Sequence, residues 1–239
     1  MGVPGDAGLV MLSGSSAGAG KSTVMLALAD RCSAYGRVLT VSEDDVWGKR
    51  ELGTDPVDRT AASPLFFDLL HRDAPEDVSP AAVVGAFEQL RREAMDARAM
   101  WLQDWSWPEL LSMLGWSPEL RQETSHVLHE LSAALAPAMV IYLQLDPQDA
   151  LDRAVRERGA TWFNRYAGRR PDEPVTRTAL RQVADMKRQA EQERRAALAG
   201  WPVALVDGSG DRADVIDAAW RVVREHRDIT VPTADRPPS

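Results

Sequence analysis

Val10 to Ala29 runs VMLSGSSAGAGKSTVMLALA, and its reading decides the fold. With Leu9 in front, Leu9-Val10-Met11-Leu12 is a short apolar run of the kind that forms a buried strand. A loop of small residues, Ser13 to Gly20, follows it. Lys21-Ser22-Thr23 then opens an amphipathic stretch over Val24 to Leu28 that predicts a helix. Strand, glycine loop, Lys-Ser and helix, in that order, make a cradle for phosphate. Small side chains let successive backbone N–H groups converge on an anion, and the helix N-terminus adds its partial positive charge. In that arrangement Ser15, Ser16, Ala17, Gly18, Ala19, Gly20, Lys21, Ser22 and Thr23 surround the phosphates. Lys21 reaches the terminal phosphates and the Ser22 hydroxyl holds a Mg²⁺ ion. The usual pattern is G-x-x-x-x-G-K-S/T, and here Ser15 occupies the first glycine position, with Gly14 one place earlier.

The 239-residue chain is long enough for one large domain, and an apolar share of 44% supports a core. A formal charge of -8 argues against general nucleic-acid binding. The single cysteine, Cys32, excludes an internal disulfide and a cysteine-based zinc site, and is expected to pack on the first helix. No apolar run approaches about 18 residues, so no membrane span is expected. The start, MGVPGDAG, lacks the basic and apolar regions of a signal peptide, and a cytoplasmic location is the default. The expected organisation is a domain over residues 1–228, with a Pro-rich, polar and disordered tail over 229–239.

Further strands are expected at Arg37–Val41, at the run leading to Asp104, at Met139–Leu145 and at Trp201–Asp207. Helices are expected at Pro80–Asp96, Pro118–Leu135, Pro147–Glu157, Val175–Leu198 and Arg212–Glu225, and a short one at Pro64–His71. Strands alternating with helices imply a parallel sheet covered on both faces, with ligands beyond the carboxyl ends of its strands. Three acids, Glu43, Asp44 and Asp45, fall at that edge after the second strand, where mutual repulsion can raise one pKa toward that of a base. The polar stretch from 48 to 64 is expected to form an irregular loop beside them. A hydrophobic run ending in Asp104 suits a carboxylate that holds Mg²⁺ opposite Ser22. Trp47, Trp105 and Trp107 lie at the same edge, where they either wall an acceptor pocket or fill the core. The most basic segment carries Arg153, Arg156, Arg158, Arg165, Arg169 and Arg170, punctuated by Gly159 and Gly168. Guanidinium forks suit phosphate oxygens, and a solvated basic face is the plain alternative. His126 and His129, three apart on a predicted helix, are expected to be a surface pair.

The motifs SGSSAGAGKST, VSEDDVW and VIYLQLDPQDALDRAVRERG together resemble the P-loop kinases of nucleosides and nucleotides. The first is similar to their phosphate loop. The second is similar to the segment of uridine and nicotinamide riboside kinases in which an Asp followed by an aromatic is the base, here Asp44. The third is similar to the run into the arginine lid of thymidylate and deoxynucleoside kinases, falling on Arg153, Arg156 and Arg158. Where the deoxynucleoside kinases have Asp-Arg-Ser after the third strand, this chain has Asp104-Trp105-Ser106.

The resemblance implies an α/β, three-layer P-loop NTPase fold with a five-stranded parallel sheet of order 2-3-1-4-5 and an arginine-rich lid over roughly 153–172. It implies a kinase using Mg²⁺ and ATP, with GTP as the other nucleotide to consider. The acceptor would be a small-molecule hydroxyl of a nucleoside or an antibiotic-like natural product, shaped by Asp44, Asp45, Trp47, Trp105 and Trp107. Asp44, Lys21, Arg153, Arg156 and Arg158 would be catalytic, and Arg165 and Arg169 would bind the nucleotide. A nucleoside monophosphate acceptor, and a P-loop NTPase or switch with no acceptor, are the alternatives. No nucleic-acid or membrane partner is expected, and a homodimer is allowed.

Overall fold

The computed structural model describes residues 8–14, 18–41, 78–107, 110–111, 114, 116–135 and 138–226. Five strands alternate with helices in chain order: β1 (Gly8–Gly14), α1 (Lys21–Ser33), β2 (Arg37–Val41), α2 (Pro80–Asp96), β3 (Ala99–Gln103), α3 (Pro118–Ser132), β4 (Ala138–Gln144), α4 (Pro147–Tyr166), α5 (Val175–Gly200), β5 (Val203–Asp207) and α6 (Arg212–His226). All pairings are parallel, and the strand order is β2-β3-β1-β4-β5. The expected sheet order is therefore present. β1 lies at its centre, with Met11 opposite Gln103 on one side and Val140 on the other.

Alternation along the strands builds two cores. Leu9, Met11, Leu39, Val41, Trp101 and Val140 face one side, where Val83, Phe87 and Leu90 of α2 and Leu128 of α3 cover them. Val10, Leu12, Val38, Met100, Leu102 and Ile141 face the other, beneath Val24, Met25 and Leu28 of α1 and Val215, Ala219 and Val223 of α6. A central strand buried on both faces must be apolar throughout, which is why Leu9 to Leu12 shows no polar alternation. The first core is aromatic. Phe87 stands edge-on to Trp107 with ring centroids 5.0 Å apart, and Trp107 stands edge-on to Trp105 at 4.9 Å. Fully burying such a side chain stabilises the fold by roughly 1.5–3 kcal/mol. Cys32 is buried in the second core, as a packing role requires.

Three helices begin alike. Ser79, Ser117 and Asp146 each accept a hydrogen bond from a backbone N–H of the first turn, and each is followed by proline at the first helical position. Proline there loses no helical hydrogen bond, and the cap occupies one of the otherwise unpaired N–H groups. The third strand of the chain is shorter than its apolar run, and α3 ends at Ser132 in a tight turn, Ala133–Leu135. Helix α4 differs more from expectation. It continues past Glu157 to Tyr166, with Gly159 at φ 82° and ψ 174° breaking it into two segments at an angle. His126 is a surface residue beside Glu130, whereas His129 packs edge-on against Trp201 at 5.1 Å, so the two histidines do not share a surface. Among the described residues, no helix is long and apolar enough to cross a membrane. The short helix expected at 64–71 and the tail at 229–239 lie outside the described residues.

Candidate functional site

The carboxyl ends of β1 and β3 meet beside the glycine loop. Gly14 ends β1, Gly18 and Gly20 hold positive φ values of 81° and 85°, and Gly20 is the residue that starts α1. Alone among the four helices with described caps, α1 begins without a side-chain cap and without an acid in its first turn. Its first residue is Lys21, which is 5% exposed. A cation is disfavoured at the positive end of a helix and a lysine is seldom buried. Lys21 adds positive charge where the helix already supplies it, and that combination is suited to an anion. Ser22 and Thr23 follow in the same turn, both half-buried.

Gly18 carries the loop against α4. A Cβ on it would lie 2.0 Å from the Ala150 carbonyl oxygen and 3.1 Å from Cβ of Ala154. The small residue is thus required by close approach as well as by its backbone angle. Ala19 is buried.

On the other side of β1, the β2–β3 ladder continues past Gln103 because the Asp104 N–H donates to the Val41 carbonyl at 3.3 Å. Asp104 is 1% exposed. Its neighbour Ser106 donates its hydroxyl to Ser13 Oγ at 3.2 Å, tying the exits of β3 and β1 together. Alternation puts the Asp104 side chain on the face of Met100 and Leu102, the face that α1 covers. Asp104, Lys21 and Ser22 therefore belong to one side of one sheet edge.

Gln103 belongs to the opposite side. It is fully buried, and its Nε2 donates to the Trp105 carbonyl at 2.8 Å. Sequence reading passed over Gln103, because a polar residue at a strand end is ordinary. Trp105 and Trp107 lie in the same core, 5% and 0% exposed. Their indoles pack on each other, and that of Trp107 on Phe87, which is the core-filling alternative of the two readings.

The arginine segment is divided in its placement. Arg153 is half-buried, and its Nη2 donates to the Gly208 carbonyl at 3.3 Å, so α4 is joined to the turn after β5. That turn is itself fixed: the Ser209 hydroxyl and N–H both donate to Asp207, which holds the Asp207 carboxyl below the usual carboxylate range. Arg158 lies over the Trp162 ring at 5.2 Å, and Trp162 stacks on Tyr166 at 4.7 Å. Arg169 donates to the Glu173 carbonyl and to Asn164 Oδ1. Arg156, Arg165 and Arg170 are exposed. Arg181, not singled out from sequence, donates to Glu173 and to the Ala167 carbonyl. Its hydrogen bond holds the Glu173 carboxyl below its ordinary value. Arg153 is thus brought to the edge where the glycine loop lies, and the other segment arginines bond locally or face solvent.

Ser15, Ser16, Ala17, Asp44, Asp45 and Trp47 lie outside the described residues. Among the described residues, no group of three or more His, Cys, Asp or Glu could hold a metal, so a cation here would need a hydroxyl, a phosphate or water among its ligands. Ser22 and Asp104, one hydroxyl and one carboxylate, suit Mg²⁺, which keeps waters and takes few protein ligands. The chain matches no protein-family model and no curated protein.

Proposed function

We propose that the protein is a P-loop phosphotransferase that moves the γ-phosphoryl group of ATP to a hydroxyl of a small molecule. One observation carries the reading: a buried lysine in the first turn of a helix without a side-chain cap, directly after a loop of small residues, on the same side of the sheet edge as a buried aspartate. The backbone N–H groups of Gly18 to Thr23 and Lys21 would hold the β- and γ-phosphates. Ser22 and Asp104 would hold Mg²⁺, which when bound neutralises the charge on the phosphoryl oxygens. Arg153 would approach the nucleotide from α4. The Arg158, Arg165 and Arg169 segment beyond Gly159 would act as a lid, supplying guanidinium charge during transfer. Asp44, three residues beyond the end of β2, would take the proton from the attacking hydroxyl.

A nucleoside or a natural-product alcohol is the acceptor we favour over a phosphorylated one. A monophosphate would need basic residues near the ends of β2 and β3, and only Lys49, Arg50 and Arg59 are near in sequence. The test is ADP release with MgATP and a panel of nucleosides and aminoglycoside- or macrolide-type alcohols. Asp44→Asn is expected to cut transfer by on the order of 100-fold or more. ATP hydrolysis that needs no acceptor and ignores Asp44→Asn would refute the kinase in favour of a P-loop hydrolase or switch.

A further inference from the structure

β1 and β3 part company at the edge where the glycine loop begins. Their main chains pair from Gly8–Met100 to Met11–Gln103, whereas β1 stays paired with β4 as far as Gly14–Leu143. The chain leaving β1 enters α1, over the second core, and the chain leaving β3 reaches α3, over the first. Neighbouring strands whose connections turn to opposite faces open a crevice at their carboxyl ends, and such sheets bind ligands there. The same fork leaves the separation of the two strand ends without a main-chain ladder to set it.

A side-chain hydrogen bond spans the fork. Ser106 Oγ donates to Ser13 Oγ at 3.2 Å, and both residues are fully buried. A buried hydroxyl is unfavourable unless paired, and alanine would fill nearly the same space with no polar group to match. Two serines facing each other thus add little to core packing, and they specify a distance. Ser13 alternates with Leu12 and shares the side of Met11, so its side chain takes the first-core face, opposite to that of Asp104. The bridge braces the strand ends from behind and leaves the face of Lys21, Ser22 and Asp104 to a ligand. Two further bonds hold the same turn. The Asp104 N–H donates to the Val41 carbonyl at 3.3 Å, and Gln103 Nε2 donates to the Trp105 carbonyl at 2.8 Å. These tie Asp104 to β2 and to its own turn. The serine bridge ties it to β1, the strand that continues into the glycine loop.

We propose that Ser106 is a positioning residue: its hydrogen bond to Ser13 holds the end of β3 against the end of β1, and so sets Asp104 at the separation from Ser22 that a shared Mg²⁺ requires. The inference rests on the P-loop reading above and adds to it the part that aligns the two metal-holding strands. Mg²⁺ demands near-ideal octahedral geometry, so a small displacement of one ligand-bearing strand weakens its binding. The phosphate contacts of Lys21 and the loop amides lie on β1 and α1 alone, and do not depend on where β3 ends.

The experiment measures binding of a β,γ-imido analogue of ATP to the full chain by calorimetry, once with Mg²⁺ and once with EDTA. The ratio of the two affinities is the Mg²⁺ enhancement. Ser106→Ala and Ser13→Ala are each expected to lower that enhancement by about two- to tenfold, the worth of one hydrogen bond, and to leave the affinity in EDTA unchanged. Both remove the same bond, so the double variant should lose no more than either single one. Ser106→Cys, close in size and a weak donor, should fall between Ser106→Ala and the parent. Ser132→Ala removes another buried hydroxyl, which donates to the His129 carbonyl on α3, and should leave the enhancement at the parent's value. Urea midpoints separate loss of fold from loss of alignment, a distinction that Ser106→Cys preserves if an alanine variant unfolds. An unchanged enhancement in folded Ser106→Ala would overturn the proposal. Losses that add in the double variant would overturn it too, because the hydroxyls would then act separately. An equal loss with Mg²⁺ and with EDTA would show displacement of the glycine loop in place of metal alignment. A parent protein that does not bind the analogue at all would refute the P-loop reading itself, and this assignment with it.

Discussion

Replacing Gly18 with alanine isolates a contact on which the glycine loop depends. The added Cβ would meet the Ala150 carbonyl oxygen at 2.0 Å and its carbon at 2.9 Å, whereas ordinary contact begins near 3.4 Å. Both atoms are backbone of α4, so no rotamer change relieves the overlap, and loop and helix must part by roughly an ångström or more, an overpacking change that costs about 1–3 kcal/mol. Alanine at φ 81° adds about 1–2 kcal/mol of left-handed strain, partly offset by the reduced entropy of the unfolded chain. The total is about 2–4 kcal/mol. Gly20→Ala is the control. Its φ is 85°, and a Cβ there meets nothing within 4 Å, so only the strain remains, about 1 kcal/mol. Urea unfolding of both variants, with m unchanged, measures the difference. Nucleotide binding should follow the same order, since displacing the loop moves its N–H groups. A Gly18→Ala midpoint equal to that of Gly20→Ala would show that the loop does not rest on α4 and would refute the reasoning.

Trp107→Ala removes a fully buried ring held between Phe87 and Trp105, and is expected to cost about 3–5 kcal/mol in urea unfolding, while Leu180→Ala, 70% exposed on α5, stays within about 0.5 kcal/mol. Glu173→Gln removes a carboxylate whose pKa Arg181 depresses; because the folded-state pKa is the lower one, the lost stability is fully seen above the ordinary glutamate range and is gone only once pH has fallen through the lowered folded-state value, so a deficit that does not shrink from pH 7 into the acid limb would contradict the ion pair. Asp104→Asn is expected to lower kcat by on the order of 100-fold and to raise the Mg²⁺ concentration needed, and chelation with EDTA to stop transfer without lowering Tm; a variant with the parent's Mg²⁺ dependence would remove Asp104 from the metal site. Gly159→Ala places a Cβ in open space but at φ 82° and ψ 174°, a region nearly confined to glycine, so thermal unfolding should register a loss of about 1–3 kcal/mol or a straightened α4 by circular dichroism.

The strands were legible because burial on both faces leaves long apolar runs, as in Leu9 to Leu12 and Met139 to Leu143. Helix starts were legible where Ser or Asp precedes proline, at Ser79, Ser117 and Asp146. Lys21 stood out because its loop, its serine and its flanking elements all agree. What pattern reading could not supply is non-local. Arg153 meets a carbonyl at Gly208, 55 residues away, which no local spacing encodes. Gly18 looks like any loop glycine until α4 is placed behind it. Trp105 and Trp107 have the same letters whether they wall a pocket or fill a core, and only burial distinguishes the two. The extension of α4 beyond Gly159 was hidden because glycine ordinarily ends a helix, and here it turns one segment into the next.

Because Gln103 and Asp104 are consecutive, the length of β3 matters more than its lettering. Exchanging Met100 for leucine changes packing on one face, but inserting or deleting a single residue between Ala99 and Gln103 would rotate the strand's exit by half a turn. The amide would then point to the helix that follows the glycine loop, and the carboxylate into the aromatic side. A frame shift of one residue in a five-residue strand would thus exchange the amide and the carboxylate between the two faces of the sheet while leaving every atom type in place.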